Sequence, residues 1–366
     1  MKYYIISGEA SGDLHGSNLM KALFLEDKHA EIRFWGGDLM AEVGGTLVKH
    51  YKERAFMGFA EVITNISTLL GFIKFCKEDI SKFNPDKLIF IDNSGFNLRI
   101  AKWAKTNNFY TIYYISPQVW ASRSGRVKDI KRDIDEMYVI LPFVEDFYKK
   151  HDYKVTFVGH PLLDAIANRK QARESEFRKE YNLGEKPIIA LLPGSRKQEI
   201  TKLLAVMLKM ADKFTDYQFV IAGAPSQDYQ FYQQFISKEN VKFISDRTYD
   251  LLSLSYAAIV TSGTATLETA LFKVPEIVCY KTSWLSYQIG KRLINLKYIS
   301  LVNLIMDKEV VQELIQNDFN EKTLEYELYK ILDEDIRTKM FLNYFELEKK
   351  LGGKGASIKV AKLIVG

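Results

Sequence analysis

Cysteine is almost missing from this sequence, and the two present, Cys76 and Cys279, lie far apart. That excludes a disulfide framework and paired-cysteine metal spacing, and it points to a reducing compartment. No apolar run is long enough to span a bilayer. Met1–Ser7 has neither the long apolar stretch nor the small-residue cleavage site of a signal peptide, so none is expected. Neither sign of charge prevails. The 51 basic and 46 acidic side chains leave +5, too little for a dedicated nucleic-acid binder. Such a charge suits an anionic small ligand or an anionic membrane surface. His, Cys and carboxylates show no metal-ligand spacing. A G-x-S-x-G elbow, a G-x-G-x-x-G turn and a P-loop lysine are also lacking. One D-x-D, Asp133-Ile134-Asp135, precedes a strand and so lies at the wrong end for a ligand. It reads as a solvated helix end, and no metal or other cofactor is expected.

What the sequence does have is alternation. Its 366 residues exceed one typical core and suit two domains. Lys2–Ser7, Glu31–Trp35, Thr46–His50, Pro85–Asp92, Tyr110–Ile115, Met137–Leu141 and Val155–Val158 read as strands separated by helical patterns. A charged connection, Asn168–Lys186, follows. The alternation then restarts with Ile188–Leu192, Gln218–Ala222, Val241–Ile244, Ala257–Thr261 and Glu276–Tyr280, and from Ser283 onward the pattern is almost entirely helical. This spacing predicts an α/β protein with two Rossmann-like, doubly wound parallel sheets. Ligands are expected at the C-terminal strand ends, and a shared ligand in a cleft between the domains. The expected boundaries are 1–165 for the first domain and 166–342 for the second, with a C-terminal helix from about 343 to 366 returning to the first.

Four strand ends carry residues suited to chemistry. Ile188–Leu192 runs into Pro193-Gly194-Ser195-Arg196 and then a helical pattern. A loop in that place offers N–H groups to an anion, and Arg196 adds a fork that pairs two phosphate oxygens. Thr261-Ser262-Gly263-Thr264 repeats this junction, with Glu268 one turn into the helix, where it can accept from a ribose or simply favour the helix dipole. Two such junctions in one domain indicate a nucleotide diphosphate. Asp92 ends the strand Pro85–Ile91, as a general base or as a helix cap. The loop Gly8–Asp13 allows close backbone approach to a ligand or is a tight turn with Asp13 as N-cap. Ser116–Arg123 suits a sugar, or is a packed loop. His15 and His160 are placed to line a cleft, though a single histidine is more often structural. Met57–Phe75 has apolar Phe59, Val62, Ile63, Ile66, Leu69, Leu70 and Ile73 at helical spacing. A core-facing helix is the ordinary reading; Gly58, Gly71, Lys74 and Lys77 suit an interfacial one.

In order along nearly the whole chain stand G-E-A-S-G-D (Gly8–Asp13), S-P-Q-V-W-A (Ser116–Ala121), V-G-H-P-L (Val158–Leu162), L-L-P-G-S-R (Leu191–Arg196), S-G-T-A-T-L-E (Ser262–Glu268) and S-L-x-N (Ser300–Asn303). Taken together these resemble the lipid-A-disaccharide synthase family, inverting glycosyltransferases of the GT-B fold. The resemblance implies transfer of 2,3-diacylglucosamine from UDP-2,3-diacylglucosamine to 2,3-diacylglucosamine 1-phosphate. The products are the β-1,6 tetraacyl disaccharide 1-phosphate and UDP. It implies Asp92 as base, Gly194, Ser195, Arg196 and Ser262–Thr264 at the UDP phosphates, and Glu268 near the ribose. Glu9, Ser11, Gln118 and Asn303 would help shape the substrate site. It further implies metal-independent catalysis, no bound cofactor and no nucleic-acid partner. The expected location is cytoplasmic, peripheral to the inner membrane of a Gram-negative cell, with Met57–Phe75 facing lipid. It leaves room for a homodimer through C-terminal helices. Where the family usually has D-A-P-D-F-N, this chain has Asp92-Asn93-Ser94-Gly95-Phe96-Asn97. The second aspartate is a glycine, which leaves Asp92 alone as the base.

Two other readings compete. One is a different UDP-sugar GT-B enzyme, either a transferase with a soluble acceptor or an epimerase. The other is a non-catalytic nucleotide-sugar or anionic-lipid binder. A Met57–Phe75 face open to solvent argues against the first, and UDP release in the presence of an acceptor excludes the second.

Overall fold

Apolar runs too short for helices pair side by side, all in parallel, in the computed structural model. The structure describes residues 1–55, 66–122, 124–169, 171–283, 287 and 297–366. It divides into two units, Met1–Asn168 with Leu351–Gly366, and Arg169–Lys350.

Unit 1 holds β1 (Lys2–Ile6), β2 (Glu31–Gly36), β3 (Thr46–His50), β4 (Lys87–Ile91), β5 (Thr111–Tyr114), β6 (Glu136–Val139) and β7 (Thr156–Phe157). They form one sheet in the order β3-β2-β1-β4-β5-β6-β7. The order reverses between β1 and β4, which pair with Tyr3 opposite Lys87 and Ile6 opposite Phe90. At such a switch point the loops after both strands open a crevice. Here those loops carry Glu9 and Asp92. Tyr3, Ile5, Ile89 and Ile91 are fully buried on this sheet, and Val360, Ala361 and Ile364 of the last helix, Ala356–Val365, pack in the same cluster. Asp164 fastens that helix by accepting from the N–H groups of Gly355 at 2.6 Å and Ser357 at 2.9 Å.

The loop expected at Gly8–Asp13 is shorter than the sequence suggests, because the helix already begins at Ala10 and runs to Glu26. Asp13 lies inside it, buried, and caps a different helix. Its carboxylate accepts from the N–H groups of Gly37 (2.7 Å), Leu39 (3.1 Å) and Met40 (3.1 Å), at the start of Asp38–Val43. Gly12 and Gly16 serve packing: a Cβ would fall 3.1 Å from Ser7 Cβ and 2.6 Å from Met40 Sδ.

Unit 2 repeats the topology with β8 (Ile188–Leu192), β9 (Gln218–Gly223), β10 (Val241–Ser245), β11 (Ser255–Thr261), β12 (Glu276–Tyr280) and β13 (Gln312–Ile315), in the order β10-β9-β8-β11-β12-β13. The switch point falls between β8 and β11. β13, beyond the point where the sequence pattern turns helical, is an edge strand paired to β12, and its Gln312-Glu313-Leu314-Ile315 is too short and too polar to stand out in the sequence. Among the described residues no helix is long and apolar enough to cross a membrane.

Candidate active site

In unit 1, β4 ends in two consecutive left-handed residues, Asp92 (φ 47°) and Asn93 (φ 44°). Asp and Asn tolerate this conformation best among residues with side chains, which explains their use at so abrupt a turn. Asn97, fully buried, clamps the turn by donating to the carbonyls of Asp92 (2.9 Å) and Ile91 (3.2 Å). Tyr113 donates to the Asp92 carbonyl as well. The Asp92 carboxyl is pushed above its ordinary range, by burial first and then by the negative charge of Glu9. Such a shift moves a carboxylate toward general-base duty. Glu9 and Ser11 are exposed at the start of the first helix, and Gln118 is exposed in the loop after β5.

His15 and His160 also meet. Burial holds His15 down at about 4 and His160 down at about 3, the latter lowered further by His15. Both are therefore neutral at physiological pH. His160 Nδ1 accepts from the Leu162 N–H at 3.2 Å. Asp133 and Asp135 are committed elsewhere: Arg132 donates to Asp133 at 2.7 Å, and the Thr111 N–H donates to Asp135 at 3.0 Å. Among the described residues no group of three or more His, Cys, Asp or Glu side chains is arranged to hold a metal.

In unit 2, the loops after β8 and β11 enclose a cavity of about 330 Å³. Gly194, Ser195, Ser262, Gly263, Thr264 and Glu268 line it, with Glu199, Gly223 and Thr248. This follows from the switch point between their strands. Ser262 itself is used internally: its N–H donates to Cys279 O at 2.9 Å and its hydroxyl to Ile299 O at 3.1 Å. The donors left to an anion are at Gly263 and Thr264. Glu268 is held by the Tyr249 hydroxyl at 2.9 Å, and burial raises its pKa.

Arg196 does not line this cavity. It faces an adjoining one, also about 330 Å³, with Lys197, Lys202, Tyr280 and Lys281; Glu199 borders both. Asn303 departs from its expected place at the substrate. It is fully buried and donates to Val311 O (2.8 Å) and Glu313 Oε1 (2.9 Å), while its Oδ1 accepts from the N–H groups of Val310 and Val311. An amide has two donors and one doubly accepting oxygen, so no polar capacity remains for a ligand. The S-L-x-N motif is a joint between the helix Leu301–Met306 and β13.

Of the apolar set at Met57–Phe75, Phe59, Val62 and Ile63 lie outside the described residues, as does the side chain of Ile66. The helix Ile66–Phe83 turns Ile73 inward at 8% exposure, so Ile73 cannot face lipid. Leu69 is half-buried. Leu70 is 58% exposed and Phe75, outside the expected set, 45%.

The profile of the Lipid-A-disaccharide synthetase family matches residues 3–359. The chain belongs to the lipid-A-disaccharide synthase family. It is a glycosyltransferase of lipid A disaccharide synthesis. The lipid-A-disaccharide synthase of Syntrophus aciditrophicus is 40% identical over 368 residues, covering 98% of this chain and 95% of that one. That of Geobacter metallireducens is 36% identical over 369 residues, covering 99% and 96%. Among solved structures, the UDP-GlcNAc 2-epimerase of Methanocaldococcus jannaschii in complex with UDP-GlcNAc and UDP aligns with TM-score 0.69, at 13% identity, over 100% of this chain and 99% of that one. The kitacinnamycin glycotransferase aligns with TM-score 0.69, at 12% identity, over 100% and 98%. At such identities the likeness is one of fold, and that fold is GT-B.

Proposed function

We propose that the chain transfers 2,3-diacylglucosamine from UDP-2,3-diacylglucosamine to the 6-hydroxyl of 2,3-diacylglucosamine 1-phosphate with inversion. The observation that carries this is the family match over nearly the full length. Asp92 takes the proton of the acceptor hydroxyl. The freed oxygen attacks the anomeric carbon of the donor, and the bond from that carbon to the diphosphate oxygen breaks, releasing UDP with the electron pair. Support for Asp92 is its raised pKa at a switch-point strand end. UDP occupies the cavity of unit 2, its diphosphate against Gly194, Ser195 and the Gly263–Thr264 N–H groups, with Glu268 toward the ribose. Arg196, with Lys197, Lys202 and Lys281 beside it, stabilises the charge that grows on the departing diphosphate. Asp92 belongs to unit 1 and the cavity to unit 2.

The exposed Leu70 and Phe75 beside Lys74 and Lys77 favour a peripheral seat on an anionic membrane, where acylated substrates reside. They also favour the diacylated acceptor over a soluble one. The deciding assay is UDP release from the diacylated donor plus acceptor. UDP formed only when both are present, with a disaccharide product, is expected. Donor turnover without acceptor, or none with it, would overturn the assignment.

A further inference from the structure

A carboxylate serves a ribose best when it is ionised and fixed in place, and in unit 2 one residue behind the cavity wall provides for both. Glu268 stands on the helix Thr264–Leu271, whose start borders the cavity. Its Oε1 accepts from the Tyr249 hydroxyl at 2.9 Å, and among the described residues no other group donates to this carboxylate. Tyr249 does not line the cavity, although its neighbour Thr248 does. The hydroxyl therefore reaches Glu268 from the protein side. Tyr249 is itself held firmly. Its ring packs on that of Phe272, with centroids 5.3 Å apart and planes at 53°. Phe272 closes the helix that carries Glu268, and its N–H donates to the Glu268 carbonyl at 3.0 Å. Asp250, next in the chain, accepts from Arg247 and pairs with Arg169 at 3.4 Å, which ties down the first turn of the helix Thr248–Leu254.

Burial pushes the Tyr249 hydroxyl above its ordinary range, and the Glu268 charge adds to the rise, so it remains an O–H donor. Such a donor opposes the effect of burial on Glu268, which favours the neutral acid. It also fixes one oxygen of the carboxylate. A carboxylate accepts at about four positions, so capacity remains for the hydroxyls of a ribose, and bonds to an ionised acceptor are roughly twice as strong as neutral ones. Resting on the reading that Glu268 meets the ribose of UDP, we propose that Tyr249 is the positioning residue for that contact and so sets the preference of the site for a ribonucleotide over a deoxyribonucleotide. Removing a hydroxyl from the ligand leaves Glu268 without its donor. Removing the hydroxyl of Tyr249 frees Glu268 to turn or to take up a proton. Both deletions strike the same contact, so their effects should not add.

The full chain, Tyr249→Phe and Glu268→Gln are titrated by calorimetry with UDP, 2′-deoxy-UDP and 3′-deoxy-UDP, at neutral and at mildly acidic pH. Phenylalanine keeps the ring against Phe272 and removes a single oxygen, and the melting temperature checks that the fold is intact. The unmodified chain should bind UDP about tenfold more tightly than at least one deoxy analogue, the size of one hydrogen bond to a charged group. Tyr249→Phe should bring that ratio to within about threefold, by weakening UDP while leaving the analogue nearly as before. On acidification Tyr249→Phe should lose UDP affinity at a higher pH than the unmodified chain, because the bond that lowers the Glu268 pKa is gone. Glu199, the other carboxylate on the cavity wall, is present in both and contributes equally. An unchanged ratio and an unmoved acid limb in Tyr249→Phe, with the ratio lost in Glu268→Gln, overturn the proposal. So does a Tyr249→Phe variant that weakens UDP and both analogues alike, the mark of a purely structural role. A ratio absent from the unmodified chain, or surviving in Glu268→Gln, would instead overturn the ribose reading beneath it.

Discussion

Replacing Gly194 by alanine probes the loop on which the proposed UDP cavity depends. Gly194 has φ +101°, a region that costs a residue with a side chain about 1–3 kcal/mol. The new Cβ would fall 2.3 Å from Glu199 Oε2, 2.7 Å from its Cδ and 2.9 Å from its Cγ. Glu199 must swing away, and the bond it accepts from the Ser195 N–H at 3.3 Å is lost. That bond is long and exposed, so its loss lies at the low end of about 0.5–1.5 kcal/mol. Against these costs, a stiffer unfolded chain returns about 0.4–1 kcal/mol. The balance is a loss of about 1–2 kcal/mol. For a unit of this size that lowers the melting temperature by roughly 2–4 °C per kcal/mol. UDP affinity, measured by calorimetry, should fall by about fivefold or more, because the displaced loop no longer presents its N–H groups as before. Gly194→Asn separates the two causes. Asparagine tolerates positive φ better than alanine, so strain predicts a smaller loss for asparagine and crowding an equal or larger one. An alanine variant with unchanged melting temperature and unchanged UDP affinity would refute the argument that this position requires glycine.

Asp92→Asn should keep the left-handed turn and the UDP affinity while kcat falls by about 10²–10⁴, the range for a lost general base. Its melting temperature at neutral pH should rise, because a carboxyl whose folded pKa is raised costs stability once pH exceeds its unfolded value. Glu9→Gln removes a charge that raises the Asp92 pKa, so the acidic limb of the kcat/KM profile should move to lower pH; an unmoved limb would separate the two residues. Arg196→Ala should weaken UDP binding by about tenfold or more, and equal calorimetric affinity would remove it from the diphosphate site. Glu276 is wholly buried on β12, neither carboxyl oxygen has a hydrogen-bond partner among the described residues, and burial drives its pKa well above the ordinary value. Its contribution to stability is complete below the normal glutamate range and is lost as pH rises toward the folded pKa. Glu276→Leu should therefore flatten the fall in melting temperature between mildly acidic and alkaline buffer.

The sequence by itself determined the architecture. Runs such as Ile188–Leu192 and Leu88–Ile91 are apolar on both faces, as strands covered by helices on each side must be. Their alternation with helices leaves little choice but a parallel, doubly wound sheet, made twice. The motifs were legible in the same way, because a junction such as Thr261–Thr264 is local: strand, turn and helix N-terminus are consecutive in the chain. What depended on distance in space was not legible. Asp13 looked like the cap of its own helix, and only the packing of β1 against β2 hands its carboxylate to the helix Asp38–Val43. Asn303 has a ligand's chemistry, but Val310 and Val311, together with Glu313 of the edge strand Gln312–Ile315, use all of it. Ile73 shares a helical stripe with Leu70, yet one is in the core and the other in solvent. Arg196 and Ser262–Thr264 share a domain but border different cavities, separated by Glu199. Glu9 and Asp92 meet because the strand order reverses between β1 and β4. Residue type and local order say what a side chain is able to do. Which neighbours consume that capacity, and which leave it open to a substrate, is decided by contacts between distant segments, and those exist only once the sheets are assembled.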